Sequence, residues 1–349
     1  MLNIAIVNDT VIAVEALHRA IAAMPGYHLL WVAYTGTEAV KYCAAQPPDL
    51  ILMDLNMPEL DGVEATRQIM QRSPCAILIV TASIARNTSK VFEAMGHGAL
   101  DVVTTPALGT GDPQAVQTLL KKIATVAKLA RYAPQQSPQS IPVTSPAPLS
   151  PAASLPELPP LIVIGTSTGG PHALQQILSQ LPASLRTAIV VIQHIDAQFA
   201  AGLVDWLNQS SRLPVALARN GDRPEAGKVL IAGTNDHLIL RPNQSLRYSH
   251  EPAHLAHRPS VDVFFQSVAH HWPQPGIALL LTGMGQDGAE GMVRLQAARW
   301  HTVAESAESC VVFGMPKAAI ARGAARQVLP LKQMVPHLVS KLTLSASRF

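Results

Sequence analysis

The chain has 349 residues, a net charge of +3, and 48% hydrophobic against 14% charged residues. That length favours two domains over one, and the small, scattered positive charge excludes the Lys/Arg tracts of nucleic-acid binders. No apolar stretch is long enough for insertion into a bilayer, so neither nucleic acid nor membrane insertion is expected.

Three cysteines, Cys43, Cys75 and Cys310, lie far apart with no CxxC. This spacing fits free thiols in a reduced, cytoplasmic setting. The opening MLNIAIVNDT carries no basic leader and does not read as a signal peptide.

In chain order, short apolar runs alternate with helical patterns. Strands are predicted at Leu2–Val7, Leu29–Ala33, Leu50–Met53, Ala76–Val80 and Val102–Val103. Helices are predicted between them, for example Val11–Met24, Thr37–Ala45 and Val63–Gln71, with a last one at about Gln114–Leu129. Five strand-helix units point to a doubly wound parallel sheet. From Ala133 to Pro160 prolines recur and apolar periodicity disappears, so this stretch is expected to be a semi-extended linker. It divides the chain into residues 1–132 and 161–349.

The second part opens with a buried strand, Leu161–Ile164, a glycine turn, and a helix near His172–Leu181. Further strands are predicted at Ala188–Ile192, Lys228–Ala232 and Ile277–Leu281, with a hairpin between His237 and Val261. This too reads as an open α/β sheet, giving an α/β protein of two doubly wound parallel-sheet domains.

Ligands of such sheets sit beyond the carboxyl ends of the strands. In the first part those ends carry Asn8 and Asp9, Asp54, Thr81, and Thr105. Clustered carboxylates there suit a hard divalent cation, and Asp54 suits attack on a phosphoryl group.

In the second part, LIVIGTSTGG sets Ser167 at a strand-to-helix turn that also satisfies G-x-S-x-G. A dinucleotide-binding turn fits less well, because Ser167 replaces its middle glycine and the next strand ends in Gln193-His194 rather than an acid. His194 and Asp287, each after a strand, are candidates for base and orienting acid. His237, His254 and His257 remain alternatives for the base, and Asp236 and Asp262 for the acid.

Residues 1–130, with LILMDLNMPELDGVEA, resemble response-regulator receiver domains, whose fold is flavodoxin-like. The resemblance implies phosphorylation of Asp54. It implies Mg2+ held by Asp9, Asp54 and the Asn56 carbonyl, with Thr81 and position 105 as switch residues. Two departures stand out: Asn8 replaces the usual second acid, and Thr105 replaces the usual lysine. Thr105 offers no ammonium to a phosphoryl oxygen, so a weaker switch is expected.

Residues 161–345 resemble the Rossmann-like catalytic domain of chemotaxis protein-glutamate methylesterases, through GTSTGG, IQH, HRPSVDVFF, LLTGMGQDG and ESCVVFGMPKAA in that order. That resemblance implies catalysis by Ser167, His194 and Asp287, with the Met284 amide as oxyanion donor. It implies a cofactor-free demethylation of glutamate esters on methyl-accepting chemoreceptors, through an acyl-enzyme, and deamidation of receptor glutamines. It further implies a chemotaxis histidine kinase as phosphodonor. The other readings are a non-switching chemosensory scaffold and a hydrolase of a non-motility signalling pathway.

Overall fold

A computed structural model describes residues 2–82, 84–105, 113–130, 158–255 and 257–346. Nearly all of the expected linker lies outside these residues; 158–160 are its described end.

The first lobe runs β1 (Leu2–Val7), α1 (Val11–Ala22), β2 (Tyr27–Ala33), α2 (Gly36–Ala45), β3 (Leu50–Met53), α3 (Gly62–Arg72), β4 (Ala76–Thr81), α4 (Ile84–Gly96), β5 (Asp101–Thr104) and α5 (Pro113–Ala130). The strands form a parallel sheet in the order β2-β1-β3-β4-β5. The residues of β3 are all fully buried, which is why LILM reads as an unbroken apolar run rather than an alternating one. Helix starts are set locally: the Thr35 hydroxyl accepts from the Glu38 amide before α2, and the Asp61 carboxylate accepts from the Glu64 amide before α3. The order reverses beside β1, so the crevice beyond β1 and β3 is the topological switch point.

The second lobe runs β6 (Leu161–Thr166), α6 (Gly170–Gln180), β7 (Ala188–Gln193), α7 (Ala197–Asn208), β8 (Val215–Leu217), β9 (Val229–Ile231), β10 (His237–Leu240), β11 (Leu246–Ser249), α8 (Val261–His271), β12 (Ile277–Leu280), α9 (Ala289–Ala297), β13 (His301–Glu305), α10 (Met315–Ala321), β14 (Gln327–Leu329) and α11 (Leu331–Ala346). A seven-stranded parallel sheet has the order β14-β13-β12-β6-β7-β9-β8, and β10 and β11 form the expected antiparallel hairpin. Here the switch point lies at β6, between β7 and β12. Strands β8, β13 and β14 escape sequence reading because they are short: VAL and QVL have three residues each, and HTVAE begins and ends on polar residues. None of the described helices is long and apolar enough to cross a membrane.

The lobes are not separate cores. One apolar cluster includes Phe92 and Met95 from the first lobe and Leu174, Phe199, Leu203 and Trp206 from the second. Phe92 stacks on Trp206 with centroids 5.8 Å apart, an arrangement that contributes roughly 0.5–1.5 kcal/mol beyond burial. Gly202 on α7 allows this approach, since a β-carbon there falls 1.7 Å from Thr88 Cγ2. Two domains detaching without disturbing a shared core is the expectation from a linker; the α4–α7 seam means that detachment exposes aromatic surface.

Gly202→Val should therefore drive the lobes apart while leaving both sheets intact. Small-angle scattering should show a larger radius of gyration with an unchanged far-UV dichroism spectrum; an unchanged radius would contradict this account of the seam.

Candidate active site

Strand register brings the second-lobe residues together. Thr166 pairs with Gln193 across β6 and β7, and Gly165 pairs with Leu280 across β6 and β12. The ladder continues one step past each strand: the His194 amide donates to the Thr166 carbonyl, and the Ser167 amide donates to the Thr282 carbonyl, both at 3.0 Å. Ser167 thus sits between the loops that carry His194 and Asp287. Thr282 fastens this junction, its hydroxyl donating to the Thr168 carbonyl at 2.9 Å and accepting from the Val312 amide at 2.9 Å. Below it, the fully buried Glu305 carboxylate accepts from the Thr282 amide.

Gly283 permits close approach. A β-carbon there falls 2.8 Å from Ser167 Cβ and 2.3 Å from Met315 Sδ, so a larger residue displaces Ser167. Next to it, the Met284 amide has no acceptor among the described residues. Gly169, in the left-handed conformation at φ 79°, turns the chain from Ser167 into α6.

Asp287 carries the densest hydrogen bonding. One oxygen accepts from the Ser260 hydroxyl (2.8 Å) and the Asp262 amide (3.0 Å). The other accepts from the Val261 amide (2.7 Å) and from His194 Nε2 (2.7 Å). The carboxylate therefore caps the N-terminus of α8, where free amides and the helix dipole favour an anion. Burial alone would raise its pKa, but the bonds from His194, Asp262 and Ser260 and the His194 charge hold it well below the usual carboxylate range.

Because Asp287 takes the Nε2 hydrogen of His194, Nδ1 is the lone-pair nitrogen. It is buried and has no partner among the described residues. No hydrogen bond links it to the Ser167 hydroxyl in this arrangement; such contacts commonly tighten only with substrate. The Gln193 side-chain amide braces both residues, donating to the carbonyls of Ser167 (2.9 Å) and His194 (3.1 Å).

The alternatives are placed differently. His237 is fully buried; its Nδ1 accepts from the Ser260 amide and its Nε2 donates to the Pro252 carbonyl. His254 is exposed, and Asp236 pairs with His250. Asp262 accepts from the Gly291 amide at 2.6 Å, and burial with the neighbouring Asp287 charge raises its pKa. His257 stacks flat on His194, centroids 4.6 Å apart. Sequence reading missed the parts played by Ser260 and Gln193 and cast His257 only as an alternative base; the runs HRPSVDVFF and IQH were the available signals.

In the first lobe, Asp9 and Asp54 follow β1 and β3. Burial raises the Asp54 pKa to about 6, opposed by the Leu55 amide and reinforced by the Asp9 charge. Two carboxylates so placed, with the neighbouring Asn56, form an oxygen-rich, under-compensated anionic site suited to a divalent cation. The Asn8 side chain is nearly buried and accepts from the Thr10 amide at 2.9 Å, serving its own turn. Thr81 is fully buried and accepts from the Asn87 side chain at 2.9 Å. The Thr105 amide donates to the Thr81 carbonyl, while its hydroxyl is buried without a partner among the described residues.

Comparison with known proteins decides the family. The CheB methylesterase family model matches residues 162–338, and the response regulator receiver domain model matches residues 4–109. The chain belongs to the CheB methylesterase family. It is 52% identical over 342 residues to protein-glutamate methylesterase/protein-glutamine glutaminase 4 of Burkholderia thailandensis, covering 97% of each chain. It is 50% identical over 346 residues to protein-glutamate methylesterase/protein-glutamine glutaminase 1 of Pseudomonas fluorescens, covering 97% of this chain and 98% of that one. The CheB methylesterase catalytic domain of Thermotoga maritima is similar in structure, with a TM-score of 0.51 and 35% identity over 53% of this chain and 99% of that one.

The raised Asp54 pKa has a consequence for stability. An acid with a higher pKa folded than unfolded binds more protons folded, so stability falls as pH rises from about 4 through about 6. Asp54→Asn should raise the melting temperature above pH 6, with the gain vanishing below pH ~4. Added Mg2+ should stabilise the natural chain more than the variant. Equal Mg2+ responses in a thermal melt would place the cation elsewhere.

Proposed function

We propose that the chain hydrolyses glutamate methyl esters on methyl-accepting chemoreceptors and deamidates receptor glutamines, under control of phosphorylation at Asp54. The observation that carries this reading is the His194–Asp287 pair beside Ser167 at the switch point of the second sheet.

Ser167 Oγ attacks the ester carbonyl while His194 Nδ1 takes its proton. The tetrahedral oxyanion is met by the Met284 amide, a class of contact worth about 100–1000-fold in rate. The C–O bond to methoxide breaks, and the leaving group departs as methanol with the proton from His194. Water then attacks the acyl-enzyme with His194 again as base, releasing glutamate and Ser167. With a glutamine substrate ammonia leaves instead. Asp287, pinned by α8, fixes the imidazole tautomer throughout. No cofactor takes part in this chemistry.

Residues 1–132 act as the receiver, 133–160 as the linker and 161–349 as the catalytic domain. An Asp54 oxygen attacks the phosphorus of a phosphohistidine on the chemotaxis kinase, and the P–N bond breaks. Asp9, Asp54 and the Asn56 carbonyl would hold Mg2+, which neutralises charge in that transfer. Thr81 turns its hydroxyl to the phosphoryl group. The resting receiver restricts access: Val102, Thr104, Thr118 and Lys122 form one wall of a cavity of about 420 Å³ whose other wall includes His194 and His257. The protein works in the cytoplasm, where its kinase and the receptor tails meet.

Ser167→Ala should abolish methanol release from a methylated receptor fragment while preserving the melting temperature; retained activity in the folded variant would remove Ser167 as nucleophile. Gly202→Val should raise methanol release without any phosphodonor. A rate equal to the natural chain, in a variant whose lobes have separated, would end the occlusion reading.

A further inference from the structure

Position 105 supplies no cation, yet a dianionic phosphoryl group on Asp54 needs one. The Asp54 side is crowded by acids: Asp9 lies close enough to raise its pKa, and Asp61 caps α3 immediately before Gly62, whose amide donates to the Leu55 carbonyl at 3.0 Å. Gly62 itself is pressed on the Asp54 main chain, a β-carbon there falling 1.9 Å from the Asp54 carbonyl oxygen.

Lys90 is a cation within this cluster. Its ammonium donates to Asp61 at 3.0 Å, it is half-exposed, and its charge acts on the Asp54 carboxylate. Lys122 is less suitable: its ammonium is held by Asp101 at 2.5 Å, and it lines the cavity that faces His194.

Lys90 also lies on the helix that joins the lobes. Asn87 and Lys90, three residues apart, lie on one face of α4, and Asn87 already holds the Thr81 hydroxyl. Thr88, Phe92 and Gly96 recur at fours on roughly the opposite face. There Thr88 packs on Gly202, and Phe92 and Gly96 pack on Trp206.

We propose that Lys90 is the cation that pairs with the phosphoryl group on Asp54, leaving Asp61 to do so, and that α4 carries the change directly into the seam. The inference rests on phosphorylation of Asp54 as read above. Thr81 Oγ accepts from Asn87 and keeps its own hydrogen to donate to the same phosphoryl group, so the Asn87–Thr81 and Lys90–Asp61 contacts tie this face of α4 to one event. The second lobe feels that event through Phe92 without an intermediate element.

The test uses the full chain with beryllofluoride and Mg2+ as the phosphoryl mimic, titrated by thermal shift, alongside methanol release with and without a small phosphodonor. Lys90→Gln should weaken beryllofluoride binding on the order of tenfold, the loss expected for one charge-assisted hydrogen bond. It should also lose phosphodonor stimulation while keeping the unstimulated rate. Lys90→Arg should retain both responses, and Thr105→Lys added to Lys90→Gln should restore them. A shift shared equally by the natural chain and Lys90→Gln would overturn the assignment alone. Absence of any shift in the natural chain, matching Asp54→Asn, would overturn the phosphorylation reading and this inference with it.

Discussion

The carboxylate of Asp287 at the N-terminus of α8 is the contact on which the catalytic lobe is organised. Two backbone amides and the Ser260 hydroxyl hold it, leaving one strong direction for His194. Because those amides belong to a helix start, the anion is stabilised where it is and cannot swing without uncapping α8. The His194 ring is fixed in turn, with the flat face of His257 against it. The hydrogen bonds that secure the fold at this corner are therefore the ones that set the imidazole tautomer.

Much of this was legible in the sequence, and the reason is topological. In doubly wound sheets function gathers just past the apolar runs, so Asp54, Ser167 and His194 each announce themselves by following a buried strand directly. Asp287 is harder. It comes six residues after Leu281, and spacing alone did not separate it from Asp236 or Asp262. The choice depends on α8 approaching from the far side of the sheet, a tertiary fact no local pattern encodes. β13 was hidden for a different reason: its buried Glu305 is tolerated because the Thr282 amide and the Ser309 hydroxyl satisfy it, so the strand carries no apolar signature at its end.

The union of the lobes was the least legible feature. IARNTSKVFEAMG has the ordinary amphipathic period of a helix lying on a sheet, and nothing in it distinguishes residues facing the sheet from those facing another domain. Phe92 and Trp206 are each unexceptional as buried aromatics; only their stacking makes them a seam. The glycine that admits Thr88 is likewise silent, since a glycine within AQFAAGLVDWLN reads simply as a poor helix former.

That seam also bounds how quiet the resting protein can be. A ligand or modification shifts a two-state equilibrium only by its differential interaction with the two states. A few charge-assisted contacts supply a few kcal/mol, whereas moving a population from 1:99 to 99:1 takes about 5.5 kcal/mol. Under the control by Asp54 phosphorylation proposed above, a seam tight enough to abolish opening would outlast the modification, so such control requires a docked form that is only modestly favoured. On that reading the unphosphorylated chain keeps a standing open fraction, and with it a leak: a baseline of demethylation that sets the floor from which signalling departs.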